Sequence, residues 1–98
     1  NTVLLGQVRE LSFDQAERRI ARTLLNLAAQ YGRPCPEGVR ISIRFTHQDV
    51  AGIINTSRIT TNKVMKRMEE EGILLKREGR YILRALPALE RLARGEGQ

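Results

Sequence analysis

The chain has 98 residues, 17 Lys or Arg against 11 acids, a net charge of +6 and 41% hydrophobic residues. That length admits one small domain and excludes two. It carries no apolar run long enough to span a bilayer and no signal peptide with a cleavage site, so the expected setting is the cytoplasm.

A chain that opens on Asn1 is expected to be a piece of a longer protein or a processed product. Its basic excess is uneven. Residues 40–80 hold nine Lys or Arg against five acids, whereas residues 1–39 and 81–98 each come to +1. A concentration of positive charge over one segment points to a polyanion partner, against the plainer reading of a solvated surface. Cys35 is the only cysteine and His47 the only histidine. An intrachain disulfide, a CxxC pair, a cysteine zinc finger and a resident transition metal are therefore excluded as expectations. Cys35 between two prolines is read as a packed or idle thiol ahead of a redox switch.

Residues 1–11 place Leu4, Leu5, Val8 and Leu11 at helical spacing. They read either as the end of a longer helix or as an arm packed on the domain. From Ser12 to Tyr31 the pattern is helical. Ser12 is a good N-cap and Gln15 completes a capping box. Ala16, Ile20, Leu24, Leu27, Ala28 and Tyr31 form one stripe, with Arg18, Arg19 and Arg22 largely off it. Gly32 is expected to end this helix in the left-handed conformation. Residues 33–38, RPCPEG, read as a fixed loop. Val39, Ile41, Ile43 and Phe45 then alternate with Arg40, Ser42 and Arg44, the period of a half-buried strand.

Thr46 and Asp49 form a second capping box, and Val50, Ile53 and Ile54 give that helix a buried side. Asn55 suits the left-handed turn that follows. Ser57, or less readily Thr56, caps the next helix, which Gly72 ends. Residues 73–77 and 80–83 read as strands joined by a turn at Glu78-Gly79. Pro87 suits the first turn of a last helix carrying Leu86, Leu89 and Leu92, and GEGQ is an expected tail. The domain reading is 1–11 as the end of a dimerisation or hinge helix, 12–94 as the domain and 95–98 as the tail. The fold class is α+β, mainly α: a winged helix-turn-helix with a three-helix core and a β-hairpin wing.

On a helical wheel, Thr61, Val64, Met65 and Met68 gather on the core side of the helix over 57–71. Arg58, Ile59, Asn62, Lys63, Lys66 and Glu70 gather on the other. Arg58 can donate twice to guanine, Asn62 can pair with adenine, and Lys63 can reach guanine or a phosphate. Ile59 either meets a thymine methyl or packs on the neighbouring helix. These four are the candidate base contacts. His47, Gln48, Ser57 and Thr60, at helix starts and turns, are candidate phosphate contacts, as are Lys66 and, on the wing, Lys76, Arg77 and Arg80. Ser57 can equally be only a cap. Glu69, Glu70 and Glu71 oppose entry by the C-terminal end of the helix and favour entry by its N-terminal half. The competing reading is a winged helix used as a protein–protein interaction module, which Ile59 alone favours. Enzymatic function finds no nucleophile–base pair, phosphate loop or metal cluster.

The stretches ERRIARTLLNLA and FTHQDVAGIINTSRITTNKVMKRMEEEGIL, in that order around a strand, resemble the DNA-binding domain of the Crp/Fnr regulators. The likeness runs from about Leu11 to Leu92. It implies base contacts by Arg58 and Lys63, backbone contacts by His47, Gln48, Ser57 and Thr60, and a wing contact by Arg80. It also implies a homodimer on a near-palindromic operator in double-stranded DNA, with recognition helices roughly 34 Å apart. Further implications are a bacterial, nucleoid-associated setting, contact with RNA polymerase, and an effector bound by an N-terminal sensor that this chain lacks, with no cofactor in the chain itself. Asn55 stands where many members have Gly. Ile59 stands where many have a Glu that reads cytosine, so a TGTGA half-site is not implied. Arg58 followed by an aliphatic residue, with a Pro-Cys loop before the strand, is similar to the cyanobacterial nitrogen-control branch.

Overall fold

The computed structural model describes residues 12–95. The reading of 1–11 as a dimerisation helix lies outside them, as does most of the tail. In chain order the elements are α1 (Phe13–Tyr31), β1 (Gly32–Cys35), β2 (Gly38–Ile41), α2 (His47–Ile54), α3 (Arg58–Glu70), β3 (Leu74–Arg77), β4 (Arg80–Leu83) and α4 (Leu86–Ala93). This is a mainly α winged helix-turn-helix whose wing, β3–β4, belongs to a four-stranded antiparallel sheet of order β1-β2-β4-β3.

Local chemistry sets most helix boundaries. Ser12 and Gln15 form a reciprocal capping box at the start of α1, and Thr46 and Asp49 form another at α2. Each satisfies two backbone N–H groups that have no partner inside the helix. Asn55 ends α2 at φ 60°, ψ 52°, a left-handed conformation that Asn tolerates better than most residues. Ser57 then caps α3 by accepting from the Thr60 N–H. At the far end of α3, Gly72 N–H donates to Glu69 O and Ile73 N–H to Met68 O. That is the paired C-terminal closure in which a residue at positive φ, here Gly72 at 78°, is favoured. Glu78 and Gly79 both take positive φ, at 55° and 80°, as a two-residue hairpin turn between right-twisted strands requires.

One core joins these elements. Ile20 and Leu24 of α1, Ile41 of β2, Val50 and Ile54 of α2, and Val64, Met65 and Met68 of α3 meet Leu74, Tyr81, Leu83 and Leu89. The Arg side chains on α1 do more than solvate its outer face. Arg22 Nε donates to Ala93 O at 3.0 Å and Arg19 Nη1 to Ile54 O at 3.5 Å. Both acceptors are the last residues of their helices, where carbonyls lack partners and the dipole favours a cation.

Four expectations are corrected. Gly32 is not left-handed but extended, at φ −77° and ψ 146°. It is glycine for space, because a Cβ there would strike Ala28 O and stand 2.7 Å from Val39 Cγ1. The RPCPEG loop is in fact an edge strand, pairing Gly32–Cys35 with Gly38–Ile41 around a Pro36-Glu37 turn. Prolines are admissible at a sheet edge, where one N–H per two residues faces outward. The strand begun at Val39 stops at Ile41, and Ile43 is exposed. In α2, Ile53 is 62% exposed, and the small Ala51 is buried in its place.

Candidate nucleic-acid interface

The turn at Asn55 and the cap at Ser57 set α3 across α2, and α3 buries Thr61, Val64, Met65 and Met68. Fixing that side turns Arg58, Ile59, Asn62, Lys63, Lys66 and Glu70 to solvent. Arg58, Asn62 and Lys66 recur at four-residue spacing and so run in a line along the helix. Ile59 is 67% exposed, which removes the alternative that it packs on the neighbouring helix.

Ser57 Oγ accepts from the Thr60 N–H at 3.1 Å and donates to Thr60 Oγ1 at 3.1 Å. Both hydroxyls therefore sit at the N-terminus of α3, the end whose N–H groups and dipole favour an anion. His47, the first residue of α2, reaches α3, where its Nδ1 lies 2.7 Å from Asn62 Oδ1. Gln48 lies beside it, exposed.

Tyr81 of β4 underlies this end of the molecule. Its ring stacks on Phe45 with centroids 5.1 Å apart and faces His47 at 6.3 Å, while Lys76 Nζ lies 5.4 Å from its centroid. Burial, reinforced by the Glu69 carboxylate, pushes the Tyr81 phenol up to about 12 from the usual 10.0. Between those values an unfolded chain has released the phenolic proton and the folded chain has not, so stability must fall as pH rises through this window and is complete below it. The expected loss between pH 10 and 12, discounted for solvent screening, is on the order of 1–2 kcal/mol. Urea titrations across that range should show the loss in the wild type and a shallower profile in Tyr81→Phe; superimposable profiles would refute it.

The wing residues are less free than the sequence implied. Arg80 Nε donates to Ser42 O at 2.7 Å, so Arg80 ties the wing to the end of β2 as well as offering charge. Arg77 Nη2 lies 3.4 Å from Glu37 Oε2. One residue was missed: the Arg44 guanidinium lies along the wing tip, where a Cβ on Gly79 would stand 3.4 Å from its Nε. The only sequence signal for it was its outward position in the alternation that ends at Phe45. Among the described residues, no group of three His, Cys, Asp or Glu could hold a metal ion, and no helix is long and apolar enough to cross a membrane.

Comparison with known proteins agrees with this geometry. Residues 18–92 match the family model of the Crp-like helix-turn-helix domain. The cAMP-activated global transcriptional regulator CRP of Salmonella typhimurium is 36% identical over 69 residues, covering 69% of this chain and 32% of that protein. The global nitrogen regulator of Synechocystis is 30% identical over 56 residues, covering 57% of this chain and 25% of that protein, so the nitrogen-control likeness is the weaker of the two. The crystal structure of the Thermus thermophilus catabolite activator protein superposes with a TM-score of 0.70 at 30% identity, covering 86% of this chain and 36% of that one. The chain spans about a third of the length of the curated relatives it matches. The family match from residue 18 to residue 92 takes in α2, the turn at Asn55, α3 and the wing, and the chain belongs to the Crp-like helix-turn-helix domain family.

Proposed function

We propose that this chain is the DNA-binding unit of a transcription regulator, reading double-stranded DNA by laying α3 in the major groove. The observation that carries the reading is the outer face of α3, where Arg58, Asn62, Lys63 and Lys66 stand exposed around a helix whose other side is closed by the core. Arg58, Ile59, Asn62 and Lys63 are the proposed base readers. Ile59 supplies an apolar contact for a thymine methyl. His47, Gln48, Ser57, Thr60 and Lys66 are proposed to hold phosphates, with Lys76, Arg77 and Arg80 doing so from the wing. The Arg77–Glu37 pair does not stand in the way, because both side chains are partly exposed and such pairs are weak.

The whole regulator is proposed to be a homodimer on a near-palindrome. Residues 1–11, outside the described residues, are proposed to be the end of its dimerisation or hinge helix, and an effector would bind a separate N-terminal sensor. Contact with RNA polymerase, a cytoplasmic setting and the absence of enzymatic activity complete the proposal. They rest on the Crp-like family alone.

The test is a binding selection from random duplexes, using the chain as it stands and the chain joined to a dimerising coiled coil. The single unit is expected to bind weakly, with affinity falling steeply as salt rises. The paired unit is expected to enrich a two-fold-symmetric site with half-sites about one helical turn apart. Binding that shows no sequence enrichment in either form would overturn the proposal. It would turn attention to protein docking, which the exposed Ile53 and Ile59 favour.

A further inference from the structure

Asn62 is the one proposed base reader whose side chain is already engaged within the protein by a residue from another helix: His47 Nδ1 lies 2.7 Å from its Oδ1. A carboxamide oxygen can only accept, so Nδ1 carries the proton in this contact. The ring that does so is itself placed, because His47 opens α2 beside its Thr46 cap and faces the buried Tyr81 ring. With one of the two Oδ1 lone pairs taken by the imidazole, Nδ2 is the amide's unengaged group toward a base, and it only donates.

We infer that His47 is a positioning residue which converts Asn62 from an adenine reader into a donor that selects keto bases. This rests on the proposal that α3 reads the major groove.

The chemistry of the groove gives the consequence. Guanine O6 and thymine O4 are acceptors, whereas adenine N6 and cytosine N4, in the corresponding places, are donors. The bidentate pairing of Asn with adenine needs both Oδ1 and Nδ2 turned to the base. An amide whose oxygen already accepts from His47 has one lone pair left beside the imidazole, so its acceptor half is weakened while its donor half, Nδ2, stays fully open. Arg58, Asn62 and Lys66 then form a line of donors along α3, suited to acceptor-rich base edges and phosphates. Asn62 therefore favours guanine or thymine at its position.

The experiment is the same selection, run at low salt on the 98-residue chain and three variants. Asn62→Ala locates the affected base pair, as the position whose preference it alone erases. At that position the wild type is expected to enrich guanine or thymine over adenine by roughly fivefold or more. His47→Ala releases Oδ1, and adenine should rise there by a comparable factor while other positions keep their preferences. Asn62→Asp places an acceptor outward on an exposed residue without disturbing the core. It should turn the preference toward adenine or cytosine, although overall binding weakens. Enrichment of adenine by the wild type overturns the inference, as does an unchanged position in a folded His47→Ala protein. Should His47→Ala fail to fold, the reversal in Asn62→Asp decides the matter, and its absence refutes the inference. A wild type that enriches no site, either alone or joined to the dimerising coiled coil, refutes the groove reading beneath it, an outcome distinct from a well-defined site with the wrong base at this position.

Discussion

Arg58→Ala is expected to erase discrimination at one base pair of each half-site, a loss of about 1–3 kcal/mol or roughly 5- to 150-fold in relative affinity. Arg58 is the first residue of α3 and is exposed. The cap that starts the helix is Ser57, so the backbone at Arg58 does not depend on its side chain. Stability should therefore change by no more than about 0.5 kcal/mol. Competition titrations against single-base variants of the selected site measure the effect. An equal loss for all sequences would make Arg58 a phosphate contact. Lys76→Ala is the contrasting case, expected to weaken every sequence alike and to reduce the salt slope by about 0.9. Arg80 is a poorer probe, because its Nε also holds Ser42 O and its removal would loosen the wing.

Gly38→Ala is expected to cost on the order of 3 kcal/mol, lowering the melting temperature by roughly 10–25 °C. Gly38 has φ 147°, a conformation that side chains rarely adopt. A Cβ there would strike Leu83 O and stand 3.2 Å from Arg84 Cα, both backbone atoms that cannot swing aside. The strain falls where β2 meets β4, the pairing that joins the wing to the β1–β2 hairpin. The proposed wing contacts with DNA should therefore weaken along with the fold. Gly52→Ala is the control. It lies inside α2 with nothing within 4 Å of its Cβ position, and should stabilise by about 0.5–1 kcal/mol. Thermal melts of the two variants test the argument, and near-equal midpoints would refute it.

The features that were legible in the sequence are local. Ser12 with Gln15, and Thr46 with Asp49, are three residues apart, so their capping boxes follow from the chain alone. Asn55, Gly72 and the Glu78-Gly79 turn are likewise single-residue conformations. The core side of α3 followed from its period, and its outer face followed by exclusion. Features that depend on a distant partner stayed hidden. Strand β1 exists because Gly38–Ile41 pairs with it, and Pro34 within it and Pro36 just after it disguised that. Ile43 and Ile53 continue apolar patterns past the point where the structure has neighbours for them. The His47–Asn62 contact spans 15 residues and two helices, and Arg77–Glu37 crosses between hairpins, so neither could be read from spacing.

Pro34 has a further consequence for how copies of this domain meet. Ser42 N–H donates to Tyr31 O across the hairpin, and the alternation of an antiparallel ladder then makes Pro34–Val39 a pair without mutual hydrogen bonds. The Pro34 nitrogen consequently faces away from β2, on the open rim of the sheet, and it carries no hydrogen. A strand from another molecule arriving at that rim finds a gap in the row of donors it would need, which is how natural sheets discourage strand-by-strand growth into aggregates. The residue that made β1 hard to recognise as a strand is thus the one that keeps the strand from recruiting a neighbour.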